Sequence, residues 1–114
     1  MSEHSEQSAL MLMVRDDERF RWLYAIPNGG HRIKAVAAQL QREGVKPGVA
    51  DLNFPFPVCK YHGCYIEMKF GKNKLTESQK EFLEYAESKG YKTAVCYSAE
   101  EAYEVLVEYV GGME

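Results

Sequence analysis

Apolar residues recur along the chain first at helical spacing and then in alternation, and the switches between the two periods outline the fold. Leu10, Met13 and Val14 keep helical spacing, and Met11 and Leu12 broaden the apolar surface, so Ser5 to Val14 is expected to be a helix with Glu6 near its start. Asp16 to Arg19 is a charged break. Phe20 to Ile26, rich in aromatic and branched residues, predicts a strand that Pro27-Asn28-Gly29-Gly30 ends. His31 to Glu43 predicts a second helix, with Ile33, Val36, Ala37 and Leu40 on one face and Gly44 as its stop. Lys46-Pro47-Gly48 is a turn, Val49 to Leu52 a strand, and Asn53 to Tyr61 a loop rich in Pro and Phe.

Gly63 to Phe70 alternates. Cys64, Ile66, Met68 and Phe70 form an apolar face, and Tyr65, Glu67 and Lys69 form the other. A basic turn, Gly71 to Lys74, follows. Thr76-Glu77-Ser78-Gln79 has the capping-box pattern and starts a third helix that runs to Lys89 and stops at Gly90. Gln79, Phe82, Leu83 and Ala86 share one of its faces. Tyr91 to Tyr97 predicts a strand. Ser98-Ala99-Glu100-Glu101 repeats the capping pattern before a last helix that buries Ala102, Val105, Leu106 and Tyr109 and ends at Gly111-Gly112. The order α-β-α-β-β-α-β-α predicts an α/β domain over residues 1–114, a mixed sheet flanked by helices.

Composition adds little to this picture, but charge adds more. With 46% hydrophobic and 27% charged residues, the chain is an ordinary globular one. It contains no apolar run long enough to span a membrane, and its polar, acidic start is unlike a signal peptide. Three cysteines fit a reducing compartment, the cytoplasm, better than a disulfide framework. The net charge of −3 is unevenly spread. Between His31 and Lys74 stand eight bases, among them Arg32, Lys46, Lys69, Lys72 and Lys74, against three acids; the remainder has six bases and fourteen acids. A basic centre on an acidic chain is what a localised phosphate-binding face requires.

The candidate chemistry sits in that centre. Asp51 and Glu67, at the ends of neighbouring apolar strands, suit Mg²⁺ or Mn²⁺, which take oxygen ligands and leave positions to water and phosphate. Lys69, two residues from Glu67, falls on the same face and can neutralise charge at the attacked phosphate. Gln79 reads two ways: as the partner residue of the capping box, or as an amide aimed into the site. Asn28, Gly29, Gly30 and Arg32 offer backbone donors and a guanidinium for phosphate. A competing constellation is Cys59, His62 and Cys64, with Cys96 as a possible fourth ligand. It would suit zinc and a non-catalytic nucleic-acid binding module, although its spacing matches no common zinc motif.

Four segments carry a resemblance. Ala25-Ile26-Pro27-Asn28-Gly29-Gly30-His31-Arg32, Gly44 to Leu52, Ile66-Glu67-Met68-Lys69 and Lys74-Leu75-Thr76-Glu77-Ser78-Gln79 resemble, in order, the motifs of the VRR-NUC nucleases, the virus-type replication-repair branch of the PD-(D/E)xK superfamily. Ala50 stands where that pattern usually has Pro. The resemblance implies a restriction-endonuclease-like core and a metal-dependent deoxyribonuclease. Asp51, Glu67 and the Met68 carbonyl would be metal ligands, Lys69 the catalytic lysine and Gln79 an auxiliary residue. Glu6 would be the first-helix acid that the superfamily often uses. Stand-alone phage and viral members further imply a homodimer acting on branched DNA such as Holliday junctions, in a bacterial or phage-infected cell. Trp22, Phe54, Phe56 and Tyr61 are candidate interface aromatics, with the core as the alternative place for them. A subunit that binds DNA without cutting it is a third reading.

Overall fold

A computed structural model describes residues 1–27 and 34–111. Eight elements follow the expected order: α1 (Glu3–Val14), β1 (Tyr24–Ala25), α2 (Lys34–Arg42), β2 (Leu52–Phe54), β3 (Cys64–Met68), α3 (Glu77–Ser88), β4 (Lys92–Cys96) and α4 (Ala99–Gly111). The strands form one sheet in the order β1-β2-β3-β4. The β1–β2 and β2–β3 pairs are antiparallel, and β3–β4 is parallel, with α3 as the crossover.

The alternation of β3 sorts the molecule into layers. Cys64, Ile66 and Met68 join Leu52 and Phe54 in a core sealed by Leu10 and Val14 of α1 and by Ala102, Leu106 and Val110 of α4. The opposite face, with Tyr65 and Glu67, meets α3: Tyr65 stands edge-on to Phe82 with 5.0 Å between ring centroids. Leu106 is fully buried. Leu106→Ala is expected to destabilise the protein by about 2–5 kcal/mol, seen as a lower urea midpoint.

Two expected strands shift. Phe20 to Ile26 yields only Tyr24–Ala25, because Asp17 caps a 3-10 turn at Glu18–Phe20, its carboxylate accepting from the Arg19 N–H. That turn drives Phe20 into the core against Phe54, 5.6 Å away between centroids. The strand expected at 49–52 lies instead at Leu52–Phe54, taking two residues assigned to the loop. Phe54 is therefore core, not interface, and Phe56 and Tyr61 pack half-buried against it. Val105 is likewise half-buried. In α2 no residue is fully buried: Val36 is exposed, whereas Ala37 and Leu40 are half-buried and line a groove against the start of α3. No helix among the described residues is long and apolar enough to cross a membrane.

Candidate active site

The register Leu52↔Ile66, carried one residue further, sets Asp51 beside Glu67. Asp51 is fixed there by the backbone: its Oδ2 accepts from the Met68 N–H at 2.7 Å, and its carbonyl accepts from the Ile26 N–H at 2.8 Å. Glu67 and Lys69 project from the same face of β3, and both are buried, at 2% and 6% exposure. Lys69 Nζ lies 3.9 Å from Glu67 Oε2. Lys69 is anchored in turn by its N–H, which donates to the Cys96 carbonyl at 2.9 Å.

Gln79 serves both of the roles set out for it. Its Oε1 accepts from the Thr76 N–H at 2.9 Å, closing the capping box, while its Nε2 donates to Glu67 Oε2 at 3.2 Å. Cap and site do not compete, because an amide has an oxygen for one and a nitrogen for the other. The first turn of α3 is thereby tied to the carboxylate. Gly48 completes the link. At φ +88° it passes so close to α3 that a Cβ would lie 2.3 Å from the Ser78 carbonyl oxygen. Lys46, Leu40 and Gln79 line a groove of about 370 Å³ between α2 and α3 at this point.

The electrostatics are those of a site short of positive charge. Burial, then the charge of Asp51 and a hydrogen bond with its carboxyl, push Glu67 up to about 8, against a downward pull from Lys69. With Glu67 ionised, Oε1 is buried and no donor among the described residues reaches it, since the Asp51 carboxyl can bond to it only when one of the two holds a proton. A buried carboxylate oxygen with nothing to accept from, beside a second carboxylate, is the donor set a hard divalent cation requires, so the residues fit Mg²⁺ or Mn²⁺. Between its ordinary value of 4.5 and about 8, Glu67 holds a proton in the folded protein that the unfolded chain has released. Stability of the chelated protein is therefore expected to fall as pH rises through that window. Urea midpoints measured across it should decline, and Glu67→Gln should flatten the decline.

Other candidates stand apart. Glu6 is buried, but its Oε1 accepts from the Ala99 N–H at 2.9 Å, where it satisfies the start of α4. The α1 acid whose charge acts on Glu67 is Glu3, whose Oε2 also accepts from Asn73 at 3.1 Å in the turn bearing Lys72 and Lys74. One helical turn separates the two acids. Lys46, Lys72 and Lys74 are exposed. Asn28, Gly29, Gly30 and Arg32 lie outside the described residues. No three His, Cys, Asp or Glu among the described residues converge as a metal-binding group. The zinc candidates in particular are not gathered: Cys64 and Cys96 are buried, Cys59 is exposed, and the His62 ring stands edge-on to Tyr91.

A mixed sheet with paired carboxylates, a lysine and a helix-borne glutamine on one face is a nuclease-type fold. The chain belongs to the VRR-NUC domain family, which matches residues 4–100. A solved structure described as a VRR-NUC domain protein superposes with a TM-score of 0.84 at 26% identity, covering 97% of this chain and 89% of its own. A search of curated proteins finds no match.

Proposed function

We propose that this protein is a metal-dependent DNA endonuclease that hydrolyses phosphodiester bonds in branched DNA such as four-way junctions. The observation that carries the reading is Glu67: buried, with one oxygen that no donor reaches when it is ionised, between Asp51 and Lys69. Asp51, Glu67 and the Met68 carbonyl would hold Mg²⁺ or Mn²⁺, which supplies water activation and charge for the phosphoryl oxygens. The chain's own residues do the rest. The Met68 N–H orients Asp51, and Gln79 occupies one oxygen of Glu67 so that the other stays free. Lys69 holds a cation where negative charge develops in the transition state. Lys72, Lys74, Lys46 and Arg32 hold the DNA backbone.

The enzyme acts as a homodimer, with the partly exposed apolar stripe of α2 as a surface for the second copy. Two sites related by a two-fold axis would face two strands of a symmetric junction. Cleavage of a labelled four-way junction, beside linear duplex and single strands, in Mg²⁺, Mn²⁺ or chelator, tests this. Metal-dependent cutting of the junction is expected; tight binding with no cutting in either metal would overturn it. Lys69→Ala is expected to lower the cleavage rate by about 10²–10³-fold without loss of fold or junction affinity.

A further inference from the structure

The face that carries the carboxylates does not end with them. Tyr24, Asn53, Tyr65 and Thr93 are register partners across all four strands, and they form the neighbouring row. Two residues along the strands, about 7 Å away, lies the row of Asp51, Glu67 and Val95. The tyrosine row is treated unequally by the fold. Tyr65 is covered by Phe82 of α3, and Tyr91 packs 5.3 Å from it. Tyr24, on the edge strand, meets no such ring among the described residues and is 46% exposed. Its ring is nevertheless held, because its hydroxyl accepts from Asn53 Nδ2 at 2.7 Å. Two residues earlier in the chain, in the turn before β1, Trp22 is 67% exposed, with the Arg21 guanidinium 5.5 Å from its ring centroid.

An exposed ring pinned at its far end, on the same face as the candidate site, about 8 Å from the Asp51 position and about 12 Å from that of Glu67 across the strands, or roughly one to two nucleotides, is placed to stack on a base. A paired base in continuous duplex has both faces occupied by its neighbours and offers the protein only its edges. Tyr24 can stack only on a base whose face is free. We propose that Tyr24 is a platform for an unpaired nucleobase, and that the site therefore selects DNA with an unpaired base next to the scissile phosphate, as at a flap, a gap or an opened branch point. This inference rests on the nuclease reading above.

The test places a fluorescent adenine analogue, whose emission falls on stacking, either at the first unpaired position of a flap or within continuous duplex. Binding is measured first in chelator, so that it is independent of cutting. The wild-type protein is expected to quench the flap probe and not the duplex probe. Tyr24→Ala should abolish the quench and weaken flap binding by about 10- to 100-fold, whereas Tyr24→Phe, which keeps the ring and loses only the hydroxyl that holds it, should keep most of both. Mg²⁺ or Mn²⁺ is then added, and the ratio of flap to duplex cleavage is expected to fall in Tyr24→Ala alone. Equal quenching by wild type and Tyr24→Ala, or equal loss in Tyr24→Ala and Tyr24→Phe, would overturn the stacking role. Tyr24-dependent quenching with no cleavage in either metal would uphold the platform and overturn the nuclease reading. Metal-dependent cleavage indifferent to Tyr24 would do the reverse.

Discussion

Glu67→Gln is expected to lower the rate of DNA cleavage by about 10³-fold or more, some 4 kcal/mol of transition-state stabilisation, while leaving a folded protein more stable than its parent at about pH 8. The two effects have one cause. Glu67 is buried beside Asp51, so its negative charge is costly, and Lys69 offsets that cost only in part. Glutamine has the same shape, and its amide oxygen still accepts from Gln79, but it cannot ionise. The site then loses half of its carboxylate pair, and the core loses a charge it held at a cost. Junction cleavage rates and urea midpoints on the same preparation check both halves. A variant that cuts at the parental rate would remove Glu67 from the site.

The second large effect is expected from a residue with no side chain. Gly48→Ala should cost about 3 kcal/mol or more and depress cleavage beyond what its instability explains. Gly48 holds φ +88°, and the added methyl would sit 2.3 Å from the backbone oxygen of Ser78, which cannot swing aside as a side chain would. Relief requires the 46–48 turn and the first turn of α3 to separate, and that turn carries Gln79 to Glu67. Gly44→Ala is the matched control. It too has positive φ, +107°, but nothing lies within 4 Å of the new methyl, so about 1–2 kcal/mol of backbone strain is all it should show. Equal denaturation midpoints for the two variants would refute the close-approach account.

The comparison between Gly44 and Gly48 also marks where the sequence stops being informative. Both glycines read as turn residues, and only the three-dimensional path of α3 separates a helix stop from a contact. The alternation of β3 was legible because a strand buried on one face must repeat every second residue, and it located Glu67 and Lys69 on a shared face before any coordinates. Asp51 followed from its place at the end of an apolar run. Phe20 to Ile26 misled because aromatic and branched residues favour a strand, yet the Asp17 cap and the burial of Phe20 outweighed that preference. Gln79 was seen as either cap or site, because a pattern assigns a residue one partner whereas an amide has two ends. Glu6 is the first-helix acid that the sequence offers, but it turns to α4 rather than to the site, and the docking of α1 that decides this is a tertiary fact.

The bond between Glu6 and the Ala99 N–H joins the first helix to the last across 93 positions. During synthesis α1 emerges well before α4, and until α4 follows it lacks the α4 part of its packing surface and has only the sheet to rest on. A nascent chain that already carries Asp51, Glu67 and Lys69 still lacks half of the wall behind β3, so the reactive face cannot be held rigid. Assembly of the candidate site is thereby deferred until α4 has been made, and a product truncated before α4 should be cleared by proteases rather than persist in a loosely folded form.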